Sequence, residues 1–228
     1  MSSPGRSGVM TSGNLRLYSF WRSSAAYRVR IALNLKQLAY EIEPVHLVKD
    51  GGQQHTAEYS ELNPQEFVPV LMHGNRILRQ STAIMEYLDD TWPEHPLLPA
   101  VPRDAQRARA IAQMIACDIH PLNNLRVMKY LESQFGANQA QKDEWMKHWI
   151  SVGFEALEKV LANNPSTGSF CEGDTPTVAD CCLVPQVFNA VRFKVSMKPY
   201  PTIKRINDEC CGMEEFKNAH PTAQPDAE

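Results

Sequence analysis

Four prolines, at positions 93, 96, 99 and 102, split this chain of 228 residues into two parts with different periodicities. Proline lacks the backbone donor and clashes with the preceding helical turn, so residues 93–102 cannot continue a helix and read as a linker. Ahead of them, short apolar runs alternate with helical patterns. Beyond them the strand signals vanish. The length suffices for one large domain or two small ones.

Residues 15–20 read as a strand and about 25–36 as a helix. Val29, Ile31, Ala32, Leu33 and Leu35 spread apolar surface around that helix, which predicts a well-buried element. Residues 40–47 alternate as an edge-like strand. A loop at Lys49-Asp50-Gly51-Gly52-Gln53-Gln54 follows. Residues 68–72 and 76–79 flank His73-Gly74-Asn75, a hairpin signal, and residues 81–92 return to helical spacing through Ile84, Met85 and Leu88. The order β-α-β, then β-β-α, predicts an α/β unit of thioredoxin type.

In the second part, Ile111, Ile115 and Ile119 mark a helix over 106–119, and Pro121 is expected to bend or break it before it resumes through Leu122, Leu125, Met128 and Leu131. Trp145, Trp149, Val152, Ala156 and Val160 define one face of a further helix. Thr177 to Asp180 reads as a capping box opening an apolar helix through the core. The expected fold class is an α/β thioredoxin-like N-terminal domain followed by an all-α C-terminal domain. Its expected boundaries are a disordered tail at 1–13, the α/β domain at 14–95, a linker at 96–105 and the helical domain at 106–228.

Hydrophobic residues make up 43% and charged residues 21%, and the net charge of −3 gives no reason to expect nucleic acid or an anionic membrane as partner. No apolar run approaches the roughly 20 residues of a membrane span, and the small, polar N-terminus lacks a secretory core. Cys117, Cys171, Cys181–Cys182 and Cys210–Cys211 form neither a CxxC nor a spaced metal set, so reduced thiols in a cytoplasmic protein and no metal are expected.

Against this near-neutral background stand Arg22, Arg28 and Arg30, clustered around Arg-Ser-Ser at a strand-to-helix junction. Hydroxyls and free backbone N–H groups at a helix start stabilise a bound anion. Capping is the competing role for these serines, but Ser23 and Ser24 allow one to cap and the other to donate. Val68-Pro69, entering a strand after a loop, is consistent with a cis bond that leaves the Val68 backbone open to a peptide ligand, or with an ordinary edge proline. At Gln80-Ser81, Ser81 is expected at the N-cap. Either it only caps, or it and the helix start receive a carboxylate while Gln80 reads an amide.

In order from about Leu15 to the C-terminus, YSFWRSSAAYRVRIAL, KDGGQQ, LNPQEFVPVL, RQSTAIMEYLDDTWP and LVPQVFNAVRFKV resemble the zeta-class glutathione transferases. The VP and QS pairs are shared across that superfamily, whereas RSSxxxRVRIAL and DGGQQ are specific to the class. The resemblance implies the glutathione transferase fold, with glutathione as cofactor. It implies that Ser23, with Ser24 beside it, stabilises the glutathione thiolate. Gln54, the Val68 backbone, Gln80 and Ser81 would hold the tripeptide. His120, Asn124, Leu125 and Arg126 would line the site from the helical domain. Arg28 lies near the active site, and Arg192 matches an arginine that holds a substrate carboxylate. A homodimer is also implied.

The implied activity is glutathione-dependent cis-trans isomerisation of 4-maleylacetoacetate, a small anionic enediketo acid, to 4-fumarylacetoacetate in phenylalanine and tyrosine breakdown. Alternatives are displacement of halide from α-halo acids such as dichloroacetate, isomerisation of maleylpyruvate, and a non-catalytic glutathione-binding scaffold. One position departs from the family, where Ser-Ser-Cys is usual and this chain has Ala25. His120 stands where glutamine is common and adds a group that titrates near neutrality in water. The energetics of a thiolate at this junction close. Lowering a thiol pKa by about two units needs ~2.7 kcal/mol. A helix start supplies ~0.3–1 kcal/mol, and a hydrogen bond to a charged group adds ~1.5–3 kcal/mol.

Overall fold

The computed structural model describes residues 14–228, so the expectation of a tail at 1–13 lies outside the described residues. Strand β1 (Leu15–Ser19) leads through a tight turn into helix α1 (Ser24–Leu35), and β2 (Glu41–Pro44) returns parallel to β1. Two short 3-10 turns and helix α2 (Ala57–Leu62) connect to the antiparallel hairpin of β3 (Val70–His73) and β4 (Arg76–Arg79), and α3 (Ser81–Thr91) completes the unit. The sheet order is β2-β1-β3-β4, with β1 and β3 antiparallel.

The second strand is shorter than the expected 40–47, because β1 ends at Ser19 and pairs only as far as Pro44. Helix α1 is buried nearly all round, as its apolar spread predicts, with Val29, Ile31, Ala32 and Leu33 wholly inaccessible.

Helix α4 (Pro102–Gln113) starts inside the expected linker. Pro102 occupies the first turn, where a missing N–H costs nothing and the fixed φ favours a helix. The helix then widens into a π-helical segment, Met114–Ile119, tightens into a 3-10 turn at His120–Asn123, and ends at Asn124. Pro121 sits in that turn, where it breaks the helix as expected. Helix α5 (Leu125–Phe135) follows, with Asn124 as its N-cap, and then α6 (Gln139–Ala162), α7 (Val178–Arg192), α8 (Pro201–Gly212) and α9 (Glu214–Ala219).

On α6 the expected apolar face is half-buried at Trp145 and Trp149 and turns outward beyond them. Val152 and Val160 are exposed, while Met146, Ile150, Phe154, Leu157 and Leu161 point into the core. Gly153 lies between these faces, and a Cβ there would overlap the Ile119 side chain, so α6 packs on the π-helical segment at a residue without one. Helix α7 forms the centre of the helical part. Its capping box is present, with Thr177 N–H donating to Asp180 Oδ2 at 2.8 Å and Ala179 N–H donating to Thr177 Oγ1 at 3.2 Å. The other Asp180 oxygen accepts from Cys171 N–H at 2.9 Å, so this fully buried carboxylate ties the preceding loop to the helix start. The core runs without interruption from α1 and the sheet into α4, α6, α7 and α8. Among the described residues no helix is long and apolar enough to cross a membrane, and the six cysteines are unpaired thiols.

Candidate functional site

A cavity of about 760 Å³ opens between the α/β part and the helical part. Ser23, Ser24, Arg28, Gln54, Val68, Gln80, Ser81, His120, Asn124, Leu125, Arg126 and Arg192 all line it. Twelve positions drawn from six separate stretches of sequence therefore converge on one cavity. Ala25 lines it too.

Local geometry explains the convergence on the α/β side. The chain leaves β1 in a turn closed by Ser23 N–H donating to Phe20 O at 2.9 Å. Ser23 is the N-cap of α1, with extended backbone, and its hydroxyl accepts from Ala26 N–H at 3.2 Å. Ser24 is the first helical residue and is largely buried. One serine thus caps while its neighbour does not, which is the division that two adjacent serines allow. The Val68-Pro69 bond is cis. Ser81 corrects an expectation: the N-cap of α3 is Gln80, held at φ 68°, and Ser81 is the first helical residue. The left-handed backbone turns Gln80 toward residue 65, and its Nε2 donates to Gln65 Oε1 at 2.7 Å. Ser81 is left to accept from Arg28 Nη1 at 3.2 Å.

The arginine cluster divides. Successive helical residues turn by about 100°, so positions two apart face away from each other. Arg28 lines the cavity and Arg30 does not. Arg30 is fully buried behind α1, where it donates to Ser19 Oγ at 3.0 Å, Trp21 O at 2.9 Å and Ala219 O at 3.0 Å. Of the three clustered arginines, Arg22 and Arg28 therefore face the cavity and Arg30 does not.

Arg28 is 2% exposed and makes no ion pair among the described residues, and its Nε and Nη2 have no hydrogen-bond partner. Burial lowers its pKa from the ordinary guanidinium value. The half-buried ring of His120 lies near enough to feel that charge. Loss of solvent, together with Arg28, pushes its pKa down to about 3. His120 is therefore neutral across the physiological range and does not titrate there, as its type alone suggests it would. Its Nδ1 and Gln54 Oε1 are also buried without partners.

On the helical side, Asn124 accepts from Arg126 N–H at 3.0 Å, and the Arg126 guanidinium lies 4.7 Å from the centre of the Phe67 ring, joining the two walls. Burial and the neighbouring Arg22 charge lower the Arg192 pKa. Sequence reasoning missed Asn123, Lys129, Lys142 and Asp143 in the lining. Lys129 follows Arg126 by three residues on α5, a spacing that puts both on one helical face, whereas nothing local marks Lys142 and Asp143 on α6. The cationic lining, Arg22, Arg28, Arg126, Lys129, Lys142 and Arg192, shares the cavity with two acidic residues, Glu66 and Asp143, and Lys142 also pairs with Glu132 at 2.6 Å. In a chain of net charge −3, this focuses positive potential on one cleft.

Residues 17–96 match the family model of the glutathione S-transferase N-terminal domain. A probable maleylacetoacetate isomerase of Vibrio cholerae is 48% identical over 214 residues, which cover 94% of this chain and 99% of that protein. The holo structure of a maleylpyruvate isomerase, a bacterial glutathione S-transferase in the zeta class, superposes with a TM-score of 0.91 at 47% identity, covering 93% of this chain and 100% of that one. The chain belongs to the zeta-class glutathione S-transferases. A second solved structure, a maleylacetoacetate isomerase from Methylobacterium extorquens AM1 with malonate and GSH bound, gives a TM-score of 0.90 at 42% identity over 93% of this chain and 99% of that one.

The lining of this zeta-class cavity suits glutathione, a peptide with two carboxylates and two amides. The idle acceptor of Gln54 and the helix starts at Ser23 and Ser81 are complementary to those groups, and the idle donors of Arg28 remain for a further anion.

Proposed function

We propose that this protein is a glutathione-dependent cis-trans isomerase converting 4-maleylacetoacetate to 4-fumarylacetoacetate, working as a cytoplasmic homodimer in phenylalanine and tyrosine breakdown. The observation that carries the reading is Arg28, a buried guanidinium with two idle donors, lining the same cavity as the hydroxyl-bearing helix start at Ser23. An unpaired buried charge is costly, so its persistence points to an anionic ligand that completes it.

Bound glutathione supplies a thiolate that adds to the cis double bond and leaves after rotation about the resulting single bond. Ser23 donates its hydroxyl hydrogen to the sulfur while its oxygen continues to cap α1, and the α1 dipole adds to the stabilisation. Ser24 supports it from the first turn. Gln54, Val68, Gln80 and Ser81 hold the peptide from the α/β side, and His120, Asn124, Leu125 and Arg126 close over it from the helical side. Arg28 and Arg192 hold the substrate carboxylate and stabilise the charge that develops on the adjacent carbonyl oxygen. Neutral His120 donates or accepts a hydrogen bond without adding a competing charge. Ala25 retains the helix without a second nucleophile, since the attacking sulfur belongs to the cofactor.

The 47% identity to a maleylpyruvate isomerase favours one alternative substrate of the same chemistry. Purified protein with glutathione is expected to isomerise 4-maleylacetoacetate faster than maleylpyruvate and to act weakly on dichloroacetate. Absence of isomerisation of both enediketo acids would sink the proposal.

A further inference from the structure

The turn that delivers Ser23 is held from outside by groups that do not line the cavity. Its two central residues are Trp21 and Arg22, closed by the Ser23 N–H to Phe20 O bond. A β-turn of this kind is softest at its central peptide, whose orientation separates the common turn types and sets where the following residues point. Here the carbonyl of that central peptide and the N–H of the peptide before it, both from Trp21, are taken. Its carbonyl accepts from Arg30 Nη2 at 2.9 Å. Its N–H donates to Asp226 Oδ2 at 2.9 Å, across 205 residues of sequence.

Arg30 reaches the same stretch again through Ser19 Oγ, and its Nε donates to Ala219 O at 3.0 Å. The C-terminal segment therefore supplies an acceptor to the arginine and, seven residues on, an acceptor to the turn. The same segment also reaches the loop that carries Gln54. Glu228 pairs with Lys49, and its carboxylate lies 3.6 Å from His46 Nε2. His46 N–H in turn donates to Gln53 Oε1 at 2.8 Å. The segment thus spans the two loops that present the hydroxyl and the amide to the cavity. Gln224 keeps it folded back, its Nε2 donating to Asn218 O and His220 O.

We propose that Asp226 is a positioning residue for the thiol site: by holding the Trp21 N–H it fixes the turn that aims Ser23 and Arg22 into the cavity. Asp226 touches neither cofactor nor substrate in this scheme and acts through Trp21. The proposal rests on the glutathione reading above and deepens it.

The test compares Asp226→Ala with Asp226→Asn, which keeps an oxygen acceptor without the charge. Asp226→Ala is expected to raise the KM for glutathione about fivefold, the value of one hydrogen bond. It is also expected to raise the pKa of the bound thiol, so that the acid limb of the kcat/KM profile moves to higher pH. Asp226→Asn is expected to restore both. Thiol ionisation is read directly by ultraviolet absorbance of the glutathione-loaded protein, which needs no turnover. Asp226→Ser, too short to reach the amide, is read in the same way if the alanine variant does not fold. Parent values of KM and thiol pKa in Asp226→Ala, a fall in thermal stability with both unchanged, or an asparagine variant as impaired as the alanine one overturns the proposal. A parent protein that forms no thiolate with glutathione overturns the functional reading itself, and a normal parent signal isolates the effect of Asp226.

Discussion

Arg28 on α1 donates through Nη1 to the Ser81 hydroxyl at the start of α3, 3.2 Å away and 53 residues on in the chain. The bond joins two helix starts that face one cavity and uses only one edge of the guanidinium. Arg28→Met is therefore expected to raise the thermal midpoint of the ligand-free protein, because it removes a buried charge with idle donors and keeps the volume. The same variant is expected to lower kcat/KM for the enediketo acid by about 10- to 100-fold, the value of a hydrogen bond to a charged group. Thermal unfolding and steady-state kinetics on one preparation check both.

Ser23→Ala removes a cap and a thiol donor together. Unfolding free energy is expected to fall by ~1 kcal/mol from the lost cap. The bound thiol pKa is expected to rise by one to two units, from loss of ~1.5–3 kcal/mol of charged hydrogen bonding. Denaturant titration and thiolate absorbance separate the two effects. Ser23→Gly, which costs a cap only a few tenths of a kcal/mol, is expected to lose the thiolate while keeping the stability.

His120 sets a pH dependence with a definite sign. Its folded pKa is held near 3, while an unfolded histidine titrates near 6.5. Between those values the unfolded chain binds a proton that the folded chain does not. Stability contributed by the neutral ring is therefore complete above about pH 6.5 and declines by about 1.4 kcal/mol per pH unit as pH falls toward 3. Urea titrations from pH 7 to pH 4 are expected to show that slope, and His120→Asn is expected to flatten it. Activity between pH 6 and 8 is expected to carry no limb assignable to His120.

Asp180→Ala is expected to be the most disruptive substitution outside the cavity. Its carboxylate accepts from Cys171 N–H, Thr177 N–H and the Thr177 hydroxyl, in a fully buried site. Stranding those donors costs ~1–3 kcal/mol each, enough to remove much of the roughly 5–15 kcal/mol by which a protein is stable. Soluble yield and denaturant midpoint report it.

What the sequence revealed depended on how local the cause is. The hairpin around Gly74, the cap at Ser23 and the box at Thr177 depend on neighbouring residues, and each lies where its residue types place it. The start of α4 was misjudged because a proline forbids the interior of a helix and not its first turn. On α6 two apolar stripes compete, and only packing against the rest of the core selects Ile150 and Phe154 over Val152 and Val160. Gln80 took the cap from Ser81 through a left-handed backbone that no residue-type preference favours strongly. Most of the cavity lining was legible because family motifs mark it. Lys142 and Asp143 were not, since they enter from a helix whose register against the α/β part is fixed by tertiary contacts alone.

The close seat of α6 at Gly153 carries a consequence for specificity. Gly153 is absent from the cavity lining, yet it sets how near α6 approaches Ile119, and His120 is the next residue of the chain. A single added methyl would meet Cγ1 and Cδ1 of Ile119, so that side chain, next to the segment bearing His120, Asn123 and Asn124, would have to shift. The bore of the cavity is thus gauged from behind, by a hydrogen atom where every other amino acid has a carbon. Gly153→Ala is expected to change the space in the cavity without altering any residue that lines it.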